Sequence, residues 1–200
     1  MIKLIQDTNG TMTLDDLKNY QVITREVLNI TYRGVELHGV GSPSGGAVGH
    51  SILKIMEQFD PADSADVNLT MHRFDEAMRF AYSARLGLGD PDFVEDMVGL
   101  ETRMVSDEMA KDIHSRILDN QTQPVEAYNP MKTYLKDNHG TSHISTADGS
   151  GMATSLTTTI NLLFGAQIID PVSGVIMYVH PLHSPIRRTL TSPSAVATTR

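Results

Sequence analysis

Residues 138–145 read Asn-His-Gly-Thr-Ser-His-Ile-Ser, with a glycine directly before a threonine that opens a strand-like run. Gly140 has no Cβ, so its backbone takes conformations that other residues resist and a side chain can approach its carbonyl. Such a junction suits a threonine that attacks its own peptide bond. A threonine hydroxyl is a weak nucleophile until a base takes its proton, and one economical base is the threonine's own α-amine once that residue becomes an N-terminus. Cleavage between Gly140 and Thr141 would leave that amine free.

Working outward, the residues from Ser142 are Thr-rich and β-branched, and Asp148-Gly-Ser-Gly151 predicts a turn between two strands. In the second run Ala153, Ser155, Thr157, Thr159 and Asn161 fall on one face, and Met152, Leu156 and Ile160 on the other. A hydroxyl stripe of this kind, taken alone, reads as a solvent-facing sheet surface, because threonine favours strands anyway.

The first two thirds read as helix-rich. Thr13, with Asp16 three residues on, predicts an N-capped short helix from Leu14. Leu28, Ile30 and Tyr32, then Val35 and Leu37 after Gly34, predict a hairpin. His38–Gly46, HGVGSPSGG, reads as a flexible turn leading into a helix over 47–59 with Ile52, Ile55, Met56 and Phe59 on one face. A longer helix from Asn68 to Arg85 is expected to turn Met71, Phe74, Met78 and Tyr82 inward, and another from Ser106 to bury Met109, Ile113 and Ile117. Leu86–Pro91 breaks the pattern between them.

With 16 Lys plus Arg against 24 Asp plus Glu, the chain carries a net charge of −8 and no basic run, so a nucleic-acid partner is not expected. The absence of cysteine removes disulfides, thiolate metal sites and cysteine nucleophiles. Neither a signal peptide nor a membrane span is expected. Four Asn-x-Thr sequons, at Asn9, Asn29, Asn68 and Asn120, point toward a secretory history or toward coincidence in a polar sequence.

The stretch NHGTSHIS, followed by SLTTTINLLFG at 155–165, resembles the gamma-glutamyltranspeptidase (glutathione hydrolase) family of N-terminal nucleophile hydrolases. There a Thr-x-His opens the small subunit and a Thr-x-Asn follows at fixed spacing, matched here by Thr159 and Asn161. MTLDDLKNY, SPSGGAVGHSILKIMEQFD and HRFDEAMRFAYSARLGLGDPDFV are similar to the end of the family's large subunit.

The resemblance implies an α+β fold, part of an αββα sandwich. Residues 1–140 would be the C-terminal part of a large subunit, 141–177 the N-terminal part of a small subunit, and 178–200 a disordered tail outside the family pattern. It implies cleavage between Gly140 and Thr141, with Thr141 as nucleophile toward glutathione and other γ-glutamyl compounds. Thr159 would hydrogen-bond that nucleophile and Asn161 would hold the substrate's α-amino group. Water or an acceptor amino acid or peptide would resolve the acyl-enzyme. No cofactor and no metal are implied, and the partners are the two processed subunits of a heterodimer. Family members are usually secretory, cell-surface or vacuolar.

His143 also matches the family motif, but on a strand it reads equally as a packed or solvent-facing residue. His139 and His143 have a metal-like spacing, yet Gly140 and the strand pattern between them do not give the helix that would align both rings. A zinc site is not expected. Past Met177 the likeness fails, and His180 and His183 stand where the family has acidic positions. Met177-Tyr178-Val179 can be encoded with the hexamer GTATGT, so a retained intron would account for the change. The family's α-carboxylate arginine, Ser-Ser pair and oxyanion-hole Gly-Gly have no counterpart here, so little activity is expected of this polypeptide alone. The alternatives are a nonenzymatic fragment or partner-dependent subunit with an exposed sheet edge over 155–163, and an unrelated secreted binding module.

Overall fold

The computed structural model describes residues 1–130, 132 and 140–178. In chain order these form α1 (Ile2–Asp7), α2 (Leu14–Asn19), β1 (Val27–Tyr32), β2 (Val35–Val40), α3 (Gly46–Met56), a 3-10 turn (Pro61–Ala65) and α4 (Val67–Arg85). Then follow α5 (Met97–Met104), α6 (Asp107–Arg116), α7 (Val125–Tyr128), β3 (Ser142–Ala147) and β4 (Ala153–Thr158). The chain divides into two compact units, Val22–Leu135 and Met1–Gln21 with Lys136–Arg200. The tail expected over 178–200 lies, apart from Tyr178, outside the described residues.

In the unit over 22–135, β1 and β2 form an antiparallel hairpin pairing Tyr32 with Val35. Its two-residue turn places both Arg33 (φ 48) and Gly34 (φ 81) in the left-handed region, the geometry whose twist matches the flanking strands. α3, α4 and α6 then pack around Ile52, Ile55, Met56, Ala77, Phe80, Ala81, Ala110 and Ile113. Burial of these apolar faces is what holds short helices of ordinary propensity in place.

Two helical faces differ from the sequence expectation. On α4 the buried residues are Arg73, Glu76, Ala77, Phe80 and Ala81, whereas Met71 and Tyr82 are more than half exposed. Small alanines let this helix approach closely, and the two charged residues are buried because partners reach them. Arg73 donates to both carboxylate oxygens of Asp119 at 2.8 Å and to Asp63 at 2.7 Å, while Glu76 accepts from Tyr128. On α6 Ala110 takes the buried place expected for Met109. Ser106 caps that helix, its hydroxyl accepting from the Met109 amide at 3.1 Å.

The turn after β2 is also not a free loop. Glu101 of α5 reaches across to accept hydrogen bonds from the Ser42 amide and from its hydroxyl at 2.9 Å, and both residues are buried. Gly46 is required where it stands, because a Cβ there would lie 2.3 Å from the Val40 carbonyl oxygen.

In the other unit, α2 opens with the expected capping box. The Asp16 amide donates to the Thr13 hydroxyl at 3.3 Å, and the Thr13 amide donates to the Asp16 carboxylate at 2.6 Å. The same unit holds the antiparallel β3–β4 hairpin, every residue of which is exposed. Asp148 shapes its turn by accepting from the amides of Ser150 at 2.8 Å and Met152 at 3.0 Å. All four sequon asparagines lie on the surface. Among the described residues no helix is long and apolar enough to cross a membrane.

Candidate active site

The β3–β4 register sets the site. Ser142 pairs with Thr158, His143 with Thr157 and Ser145 with Ser155, so continuing the ladder by one step brings Thr141 opposite Thr159. Thr141 directly precedes β3 and Thr159 directly follows β4. Alternation puts Thr141, His143 and Ser145 on the same face as Ser155, Thr157 and Thr159, with Ile144 and Leu156 on the other.

At the open end of this ladder the Thr159 hydroxyl donates to the carbonyl oxygen of Gly140 at 3.0 Å. The same hydroxyl oxygen accepts from the Asn161 amide at 2.9 Å. Amide, hydroxyl and carbonyl therefore form a chain in which each bond polarises the next. Its end point is the carbonyl of the peptide bond between Gly140 and Thr141.

Asn161 does not continue the strand as expected. β4 ends at Thr158, and Asn161 has a left-handed backbone with φ 74. Asparagine takes this conformation more readily than most residues, because its short polar side chain bonds locally. The chain turns there, and Leu163 and Phe164 form one wall of an open cleft of about 360 Å³, lined also by Gly140, Thr141, Thr159 and Asn161. Thr159 and Asn161 are thus brought together by a turn rather than by a shared strand face.

His143 is engaged at both ring nitrogens. Nδ1 lies 2.7 Å from the Thr157 hydroxyl, and Nε2 lies 3.0 Å from the Ser145 hydroxyl and 3.2 Å from that of Ser155. From the strand pattern alone this residue is expected to be packed or solvent-facing. The alternation of the two strands was the signal that it would meet the hydroxyls on its own face. His139 lies outside the described residues, and among those described no group of three His, Asp or Glu could hold a metal ion.

A second open cleft of about 410 Å³ lies in the helical unit beside Asp63, Arg73, His114 and Asp119. Arg73 is the buried cation there, and its guanidinium is already taken up by the two aspartates. That pairing disfavours binding of an external anion.

The sequence profile described as Gamma-glutamyltranspeptidase matches residues 1–180. The chain belongs to the gamma-glutamyltranspeptidase family. A glutathione hydrolase proenzyme from Arthroderma benhamiae is 46% identical over 178 residues, a match covering 88% of this chain and 30% of that protein. The glutathione hydrolase proenzyme of Escherichia coli is 33% identical over 180 residues, covering 86% of this chain and 30% of that protein. The chain therefore spans about 30% of the length of these family members. The crystal structure of the Helicobacter pylori gamma-glutamyltranspeptidase superposes with a TM-score of 0.57 at 28% identity, over 68% of this chain and 40% of that one. The enzyme from Pseudomonas nitroreducens, at 23% identity and a TM-score of 0.56, shares the fold over 62% of this chain and 38% of that one. The mixed helical and antiparallel architecture is thus the α+β fold of this enzyme family, to which the two glutathione hydrolase proenzymes belong.

Proposed function

We propose that this chain carries the nucleophile-bearing junction of a glutathione hydrolase, acting on γ-glutamyl amide bonds through an N-terminal threonine. The observation that carries the reading is the hydrogen bond from the Thr159 hydroxyl to the Gly140 carbonyl, beside Thr141 in the open cleft. A donor on that oxygen draws electron density from the carbonyl carbon and stabilises the charge that develops there on attack.

In the processing step, the Thr141 hydroxyl adds to the Gly140 carbonyl, the C–N bond breaks, and the nitrogen takes a proton to become the Thr141 amine. Water then hydrolyses the resulting ester, leaving a Gly140 carboxylate and a free hydroxyl. In turnover the new amine takes the hydroxyl proton as the oxygen attacks the γ-glutamyl carbonyl, and the leaving amine departs protonated. Water or an acceptor amino acid or peptide resolves the acyl-enzyme. Asn161 holds the substrate's α-amino group, and the processed pieces remain together as large and small subunits. Turnover by residues 1–200 alone is expected to be weak, because no oxyanion-hole Gly-Gly and no arginine for the α-carboxylate match in this stretch.

A partner-dependent reading is favoured by the bare hairpin, where Ile144 and Leu156 pair while each is more than half exposed. Concentration-dependent oligomers in sedimentation would support it.

The test of the main reading is the intact mass of freshly purified protein beside Thr141→Ala. Fragments ending at Gly140 and beginning at Thr141, formed only by the parent, support the mechanism. Hydrolysis of a γ-glutamyl anilide that Thr141→Ala leaves unchanged would exclude the threonine as nucleophile.

A further inference from the structure

We propose that His143 is a positioning residue that locks the register of the β3–β4 hairpin and so holds the Thr159 hydroxyl on the Gly140 carbonyl. The proposal rests on the reading that Thr141 is the processing nucleophile.

Among the described residues, burial does not set this register. Every residue of β3 and β4 is exposed, and a two-stranded hairpin without a covered face is only marginally stable in water. Strands of this kind are prone to slippage, and a slip of one residue transfers every side chain to the opposite face. Here that slip would separate Thr159 from Gly140 and remove the donor from the carbonyl.

The imidazole of His143 supplies what burial does not. It bonds across the hairpin to Thr157 and Ser155 on β4 and along its own strand to Ser145. Each hydroxyl both donates and accepts, so the neutral ring, with one N–H and one lone pair, is satisfied in either tautomer. The two cross-strand bonds, to Thr157 and Ser155, exist only when His143 faces Thr157, the register that also brings Thr141 opposite Thr159. His143 therefore acts through Thr157 and the two serines rather than on the reacting bond.

The experiment has two readouts. Self-cleavage at Gly140 is timed by intact mass in the parent, His143→Ala, Thr157→Val, the double variant and His143→Gln. Removing the ring or the hydroxyl is expected to slow cleavage by about tenfold or more, as misplacement of reacting groups does. The double variant should lose no more than either single one, and glutamine, which offers both a donor and an acceptor, should restore most of the rate. Independently, nuclear Overhauser contacts between residue 141 and Thr159 are followed in the non-cleaving Thr141→Ala background, with and without His143→Ala. Loss of those contacts supports the proposal. Retained contacts, or cleavage in His143→Ala at the parental rate, overturn it. If the parent itself does not cleave, the processing mechanism fails separately and the contacts alone decide the role of His143.

Discussion

The Tyr128 hydroxyl donates a 2.6 Å hydrogen bond to Oε2 of Glu76, a carboxylate with 0% exposure. The other carboxylate oxygen has no hydrogen bond, although the Arg79 Nε lies 3.7 Å from it. Tyr128 also accepts from the Gln123 amide at 2.7 Å, so one hydroxyl ties α4 to the segment around α7. Burial and then the Glu76 bond push the phenol's pKa up, which keeps it protonated as the donor.

Tyr128→Phe leaves the buried Glu76 carboxylate without its hydrogen bond and the Gln123 amide without its acceptor. The expected loss is about 2–3 kcal/mol in urea unfolding, the cost of an unsatisfied charged acceptor. Combining it with Glu76→Leu should cost less than the two single changes added together, since no carboxylate is then stranded.

His50 is buried on α3 with Nδ1 unpartnered, and burial, followed by the charge of His38, lowers its pKa. The native state resists a proton that the unfolded chain accepts below about pH 6.5. Stability is therefore complete above that value and falls as pH drops toward the lowered native pKa. Thermal melts between pH 7.5 and pH 5 should show a decline that His50→Gln reduces. A parent and variant that decline in parallel would assign the pH effect elsewhere.

Arg73 lies 4.4 Å above the Phe59 ring while gripping Asp119 with two parallel bonds and Asp63 with a third. The hydrogen-bonded carboxylate of Asp119, helped by Asp63, raises the pKa of the guanidinium against the lowering effect of its burial. Lysine keeps the charge but loses the paired geometry and the stacking. Because both aspartates are about half exposed, Arg73→Lys is expected to cost only about 1–2 kcal/mol in denaturant unfolding.

Thr159→Val removes the donor to the Gly140 carbonyl without changing the size of the side chain. Self-cleavage, followed by mass, should slow by about two orders of magnitude, as when one oxyanion donor is lost. Thr159→Ser should keep most of the rate. Equal rates in all three chains would separate Thr159 from the processing step.

Features whose partners lie within a few residues of each other follow from the amino-acid order alone. The partners of the Thr13 capping box are three positions apart, the hairpin turn consists of Arg33 and Gly34, and Asp148 and Met152 are four positions apart. The nearness of Thr159 to Gly140 follows from the two-strand pattern around the Asp148 turn, whereas the left-handed turn at Asn161 was not visible in the strand alternation. Tertiary structure decided which face of α4 is buried, because Arg73 and Glu76 become core residues only through Asp119 and Tyr128, 46 and 52 residues away. It likewise pins the glycine-rich loop at its buried Ser42 through Glu101, 59 residues away. Hydrophobic periodicity counts what a side chain is, whereas burial of a charge depends on what meets it, and that partner is supplied only when distant segments pack.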